Sequence, residues 1–186
     1  MGNKVIPSST NLLFIDRDGV IIDEVLRSDG TFGSIRQIED FNLLLGVVEL
    51  FDFLRQENFT TVAVSNQPDI GRKLVSSNFV KDVNRKIINI LKLNLFLWCP
   101  HSDLDKCSCR KPKVGMFKSV LSQTQEFTNI FFIGDRDTDM EVCRNLNFIG
   151  IHLILGKRQN CMNNTHFHAK TLIEAKEFIA KKIKFG

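Results

Sequence analysis

The sequence predicts an α/β fold, a Rossmann-like parallel sheet with helices on both faces. Short apolar runs alternate along the chain with segments whose apolar residues recur at helical spacing, the pattern of a parallel sheet covered on both sides. The first run, Leu12-Leu13-Phe14-Ile15, is uninterrupted by polar residues, as expected of a strand buried on both faces. The 186 residues, 43% hydrophobic and 25% charged, suffice for a single domain, 1–186, with one sizeable core.

The first strand stops at Asp16-Arg17-Asp18-Gly19. Residues two apart in an extended segment point to one side, so Asp16 and Asp18 can converge at the carboxyl end, where open α/β sheets place ligands. Gly19 lets the chain turn sharply there. Ile21 to Asn42 is polar and irregular, with turn signals at Ser28-Asp29-Gly30 and Gly33-Ser34, and is too short for a separate cap domain. After Gly46, the spacing of Val47, Leu50, Phe51 and Leu54 predicts an amphipathic helix. Thr60 to Val64 reads as a second strand that ends in Ser65-Asn66-Gln67-Pro68. A helix over Ser76 to Leu91 follows, with Phe79, Val83, Ile87 and Leu91 on one face.

Leu93 to Trp98 supplies a third strand, then a cysteine-rich loop, then a helix over Val114 to Gln123. Asn129 to Ile133 is a fourth strand, followed by Gly134-Asp135-Arg136-Asp137-Thr138-Asp139. Met140 to Asn145 reads as helix, Phe148 to Leu155 as strand and Thr171 to Lys184 as helix. The polar stretch Gly156 to His168 reads as a surface loop. The chain has no internal repeat and no low-complexity tract.

Bulk properties narrow the function. No apolar run approaches membrane-spanning length, and Met1 to Thr10 lacks the blocks of a signal peptide, so a cytoplasmic protein is expected, with a monomer as the default. The net charge of +4 suits phosphorylated substrates and suits a solvated surface equally well. There is no concentrated basic stripe and no aromatic–basic interleaving, so nucleic acid is not the expected partner.

Polar residues gather at four strand ends: Asp16 and Asp18, Ser65 and Asn66, Lys111 beyond the cysteine loop, and Asp135. This is a set suited to phosphoryl transfer. A phosphate dianion repels a carboxylate nucleophile, and Mg²⁺ held by Asp16, Asp135 and the backbone carbonyl of Asp18 would offset that repulsion. Lys111 and the Ser65 hydroxyl could hold the remaining phosphoryl oxygens. A second group, Cys99, His101, Cys107 and Cys109, makes a closed Cys₃His set with no position left for substrate, as in a structural Zn²⁺ site. Zinc in the loop 99–109 would fix a segment lacking its own core and so place Arg110 and Lys111.

The Asp-Arg-Asp-Gly run, Ser65, Lys111 and Gly-Asp-Arg-x-Thr-Asp, in that order, resemble the four motifs of haloacid dehalogenase-type phosphatases. The resemblance implies Asp16 as the nucleophile that forms an aspartyl-phosphate. It implies Asp18 as general acid for the leaving alkoxide and then base for the attacking water. Val20 stands where that family often has Thr. Cys-Pro-His … Cys-x-Cys-Arg-Lys-Pro is similar to the capless branch containing D-glycero-D-manno-heptose-1,7-bisphosphate 7-phosphatase and histidinol-phosphate phosphatase. The likeness covers about Leu12 to Leu155 and implies the haloacid dehalogenase-like fold without a cap domain. Carried over by motif, it implies substrate contacts from Ser65, Asn66, Gln67, Pro68, Arg110 and Arg136. The five-residue spacing in the loop and Gly-Asp-Arg-x-Thr-Asp look more like the histidinol enzyme. Cys-Arg-Lys-Pro-Lys-Val-Gly-Met and Asn-Gln-Pro-Asp-Ile-Gly-Arg look more like the heptose enzyme, and residues 23–41 match neither.

The expected function is hydrolysis of a small phosphorylated sugar, a heptose bisphosphate first, with Arg72, Arg110 and Arg136 framing the entrance. Histidinol phosphate is the alternative, since its cationic amine would seek acids such as Asp23 and Glu24; a nucleic-acid 3′-phosphate is another. A zinc-stabilised binding module without turnover is disfavoured by the joint presence of Asp16, Asp18, Lys111 and Asp135. Asp139 reads as a solvated first-turn acid, the alternative being a helix-facing acid behind the site, Cys143 as a packed core thiol, and Cys161, His166 and His168 as solvated rather than metal-binding. Lys181, Lys182 and Lys184 read as an exposed helix face.

Overall fold

A computed structural model of the chain describes residues 11–122, 126–155 and 166–185. Its elements run β1 (Asn11–Ile15), β2 (Val25–Leu26), β3 (Phe32–Gly33), α1 (Val47–Gln56), β4 (Thr60–Asn66), α2 (Pro68–Gly71) and α3 (Ser77–Leu91). There follow β5 (Leu95–Cys99), α4 (Gly115–Leu121), β6 (Asn129–Gly134), α5 (Asp137–Leu146), β7 (Ile149–Leu153), β8 (Phe167–Ala169) and α6 (Leu172–Phe185).

The four apolar residues of β1 are fully buried at the middle of a parallel six-stranded sheet of order β5-β4-β1-β6-β7-β8. β1 pairs with β4 from Leu12 opposite Thr60 and with β6 from Asn11 opposite Asn129. The chain builds outward from β1 to β4 and β5, then returns to the other side of β1 for β6. Strand order therefore reverses beside β1, and the crevice at the carboxyl ends there is where such sheets bind ligands.

Alternate residues of the central strands feed two cores. Leu13, Ile15, Ala63, Phe131 and Ile133 pack with residues of α1, α3 and α6. Leu12, Phe14, Val62, Val64 and Phe132 pack with residues of α4 and α5. Phe14 stacks on Phe148 at 5.4 Å between ring centroids and meets Phe117 edge-on at 4.9 Å. The expected two-faced α/β sheet is present.

α1 and α3 sit where the periodicity placed them. Ser76 caps α3 by accepting the Phe79 N–H at 3.0 Å, and Val80, Val83, Ile87 and Leu91 are its buried stripe, with Phe79 half-buried beside them. Three departures matter. The segment 21–42 holds the short antiparallel hairpin β2–β3, paired from Val25 to Gly33. β8 lies in the stretch expected to be a loop. α5 begins at Asp137, inside the last motif, rather than at Met140. Among the described residues no helix is long and apolar enough to cross a membrane. Met1 to Thr10, Gln123, and the loop 156–165 with Cys161 lie outside the described residues.

Candidate active site

β1 and β6 end side by side, and each delivers an aspartate. Asp16 follows β1, its N–H bonded to the Ile133 carbonyl of β6 at 2.9 Å, and Asp135 follows β6. Gly19 closes the turn at φ 84°, and a Cβ on it would lie 2.5 Å from Asp135 Oδ2, so the turn and the approach of that carboxylate both require glycine. Carboxylate oxygens of Asp16, Asp135 and Asp139 all lie within 4.8 Å of one another.

Asp139 corrects the sequence reading. It is fully buried, not solvated. Gly134 makes room for it, since a Cβ there would come within 2.4 Å of the Asp139 Cβ. Asp139 Oδ2 accepts the Arg136 N–H at 3.2 Å in the first turn of α5, and Oδ1 lies 2.7 Å from Lys111 Nζ.

Lys111 is buried with its ammonium 2.9 Å from Asp16 Oδ1, 2.7 Å from Asp139 and 3.2 Å from the Val64 carbonyl. Its backbone is clamped by Asn66, whose Oδ1 accepts the Lys111 N–H and whose Nδ2 donates to the Lys111 carbonyl, both at 3.0 Å. Burial works against the lysine's charge, but Asp139 and Asp16 hold its pKa above the ordinary value. Burial pushes the Asp16 carboxyl up to about 6 against the pull of Lys111, with Asp139 and Asp18 adding to the rise. Burial, Asp16 and Asp139 drive Asp135 well above the usual carboxylate range. Three crowded carboxylates with one buried ammonium form an all-oxygen, over-acidic pocket, which fits a hard divalent cation.

The Asp18 carboxylate faces elsewhere. It is gripped by Arg17, with Nη2 3.0 Å from Oδ1, while Oδ2 accepts from Gln67 at 2.7 Å, Ser34 at 3.0 Å and Ser65 at 3.4 Å. Despite burial, Arg17, Gln67 and Ser34 hold its pKa below the ordinary value. Gln67, expected to contact substrate, is buried, donates to Asp18 and to Ser65 at 2.8 Å, and is not among the residues lining the cleft. Asn66, expected likewise, lines the cleft but spends its amide on Lys111. Ser65, Pro68, Arg110 and Arg136 line it too.

The cysteine loop brings its four ligands together. The Cys99 sulfur lies 3.4 Å from His101 Nδ1, 3.6 Å from Cys107 and 3.2 Å from Cys109, and His101 Nδ1 lies 3.2 Å from Cys109. These are far beyond a disulfide's ~2 Å and close to the ~3.5–3.8 Å edges of a tetrahedron built on Zn–S bonds of ~2.3 Å. The set could hold one zinc ion with no open position.

Above the carboxylates lies a cleft of about 1140 Å³, walled by the β2–β3 hairpin on one side and the cysteine loop on the other. A chain of ion pairs crosses its rim: Arg36 to Asp69 at 2.8 Å, Arg72 to Asp69 and Asp103 at 3.5 Å each, and Arg110 to Asp103 at 2.5 Å. Arg136 is held by the buried Glu24 at 2.7 Å. Sequence reasoning missed Arg17 and Asn84, a buried pair bonded at 3.0 Å, and the tasks of Ser34 and Glu24. A signal existed for Asn84, a polar residue inside the apolar stripe of α3. Cys143 is buried as expected, His166 and His168 are exposed, and Lys181, Lys182 and Lys184 are exposed on α6.

The model of the family Polynucleotide kinase 3 phosphatase matches residues 11–179. The chain is 33% identical over 150 residues to the histidine biosynthesis bifunctional protein HisB of Legionella pneumophila, covering 75% of this chain and 41% of that protein. It therefore spans about two fifths of the length of that bifunctional relative. It is 28% identical over 136 residues to the D-glycero-beta-D-manno-heptose-1,7-bisphosphate 7-phosphatase of Neisseria meningitidis, covering 70% of each chain. In fold it is similar to the D,D-heptose 1.7-bisphosphate phosphatase of B. bronchiseptica, solved with magnesium and phosphate. That likeness has a TM-score of 0.77 at 20% identity and covers 92% of this chain and 99% of that one.

Proposed function

Because the chain belongs to the Polynucleotide kinase 3 phosphatase family, we propose that it is a phosphoric monoester hydrolase of haloacid dehalogenase type, one phosphatase domain acting through an aspartyl-phosphate. The observation that carries this reading is the Lys111 ammonium set 2.9 Å from Asp16 among the converging carboxylates at the end of β1.

Asp16, Asp135 and the Asp18 carbonyl would hold Mg²⁺, with Asp139 beside them. Bound there, the ion would offset the repulsion between a phosphate dianion and a carboxylate. Asp16 attacks phosphorus through Oδ2, since Oδ1 is engaged by Lys111 and, at 2.7 Å, by the Arg17 N–H. The departing alkoxide takes a proton from Asp18, which later takes one from the attacking water. Lys111 and the Ser65 hydroxyl stabilise phosphoryl oxygens as charge spreads. A zinc ion on Cys99, His101, Cys107 and Cys109 would hold the loop wall in place.

The substrate is a small phosphorylated sugar, D-glycero-D-manno-heptose 1,7-bisphosphate hydrolysed at its 7-phosphate, turned over by a monomer in the cytoplasm. The rim supports this, since seven cations face the cleft there (Arg27, Arg36, Arg72, Lys106, Arg110, Lys113, Arg136) against four carboxylates (Asp29, Asp69, Asp103, Asp137). Such an excess suits a second phosphate better than a cationic amine. Glu24, one of the acids that could attract the histidinol amine, is buried against Arg136. Histidinol phosphate remains the second reading on the strength of the HisB match. A phosphate-release assay with Mg²⁺ across heptose bisphosphates, histidinol phosphate, simple sugar phosphates and a 3′-phosphorylated oligonucleotide tests both. A kcat/KM for histidinol phosphate about tenfold above that for any heptose bisphosphate would reverse the order of the two readings.

A further inference from the structure

The Arg17 side chain, set between the two aspartates of the first motif, has no part in the scheme above, yet it is the largest fully buried one among the described residues. Its Nε lies 3.2 Å from both oxygens of Asp18, its Nη2 3.0 Å from Oδ1, and its Nη1 donates to Asn84 Oδ1 at 3.0 Å. Asn84 reaches it from α3, where it interrupts the stripe of Val80, Val83 and Ile87. The Asn84 Nδ2 is buried and has no hydrogen-bond partner among the described residues. The amide's one bond is therefore the one it accepts from Arg17. A leucine would suit the apolar stripe of α3 but would leave the buried Arg17 Nη1 without its bond, so the asparagine serves Arg17 and not the helix.

We propose that Arg17, anchored by Asn84, is a positioning residue that aims the Asp18 carboxyl at the departing oxygen of the substrate. This inference rests on the phosphatase reading above. Arg17 grips both oxygens, with Nη2 on Oδ1 and Nε 3.2 Å from each, and Oδ2 also accepts from Gln67 at 2.7 Å and from Ser34 and Ser65, the two serines lining the cleft. The carboxyl is thereby presented with Oδ2 toward the substrate. As the phosphorus–oxygen ester bond breaks, the proton that Asp18 gives up goes to the leaving alkoxide, and the electron pair stays on the carboxylate that Arg17 and Gln67 stabilise. Deprotonation of the attacking water restores the acid. A fork held at only one end can swing about its long side chain, and Nη1 on Asn84 is the second point that stops it. General acid catalysis is steeply sensitive to such an error in placement.

The test uses Asn84, which touches neither substrate nor metal ligands, and compares kcat/KM for an alkyl and an aryl phosphate. kcat/KM reports steps up to leaving-group departure, and an aryl oxide leaves without needing a proton. Asn84→Leu is expected to lower kcat/KM for the alkyl ester about tenfold or more and for the aryl ester less than about twofold. Asn84→Asp keeps the acceptor and is expected to restore the alkyl rate to within about threefold. Asn84→Ala gives the same comparison if the leucine variant does not fold by circular dichroism. An equal fall on both esters, or no fall on the alkyl ester, overturns the positioning role, as does failure of Asn84→Asp to restore the alkyl rate. Wild-type protein that hydrolyses neither ester would overturn the phosphatase reading instead.

Discussion

Three carboxylates crowd the floor of the cleft around one ammonium, and the cost of that crowding is readable as a dependence of stability on pH. Burial holds the Asp16 carboxyl at about 6 against an ordinary 3.8, with Asp139 and Asp18 reinforcing it and Lys111 opposing. The folded chain thus holds this proton more tightly than the unfolded chain does. Below pH 3.8 both states are protonated and there is no penalty; stability is lost as pH rises from 3.8 to about 6, and the full penalty is present above. At 1.36 kcal/mol per unit the penalty is about 3 kcal/mol, or roughly 6–12 °C in Tm for a chain of this size. Asp18 works in the opposite sense, but its carboxyl is held below its ordinary value, so its contribution is lost only at lower pH. The assay is thermal unfolding in magnesium-free buffer from pH 4.5 to 7.5, for wild type and for Asp16→Asn, which fixes the neutral form. Wild-type Tm should fall across that range, and the asparagine variant should be flatter and roughly 6–12 °C more stable at pH 7. Added Mg²⁺ should raise wild-type Tm at pH 7 and the variant's much less. A wild-type Tm that stays flat or rises from pH 4.5 to 7, or an asparagine variant less stable than wild type at pH 7, would refute the reasoning.

The same Asp16→Asn variant should keep below about 1% of wild-type phosphate release, because an amide cannot form the aspartyl-phosphate; substantial residual turnover by purified protein would move the nucleophile elsewhere. Freshly purified protein should carry about one zinc per chain by elemental analysis, and Cys107→Ser or Cys109→Ser should lose it. Arg110→Ala should raise KM for a sugar bisphosphate about tenfold more than for the matching monophosphate, whereas equal rises would take the second phosphate away from that arginine.

The parts of this molecule that can be read in sequence are those whose cause is local. β1 is an unbroken apolar run, α1 and α3 carry their stripes at helical spacing, and three of the four motifs sit at the ends of β1, β4 and β6, so strand geometry gathers them, while Lys111 is brought in by the Asn66 clamp. The hairpin β2–β3 and β8 have two or three residues per strand, too few for any period to register. Asp139 looked like an ordinary first-turn acid because its burial depends on a missing Cβ at Gly134 and on an ammonium arriving from Lys111. Gln67 looked like a substrate contact because nothing in its neighbours tells that Asp18, 49 residues earlier, will claim its amide. Arg17 and Asn84 are 67 residues apart and meet only once the sheet has formed.

The Asn66 clamp on Lys111 has a consequence for how such a chain can change. Two hydrogen bonds from the end of β4 pin the lysine from the sheet side, so its register is set by the scaffold as well as by the loop that leads to it. Residues 102–106, between the proposed zinc ligands, should then tolerate exchange with little movement of the ammonium from Asp16. Recognition and chemistry become separable modules: one segment can drift toward new sugars or new polymers while the reacting groups stay in register. A chimera carrying a foreign segment there should keep its turnover of a minimal aryl phosphate and change only its choice among larger substrates.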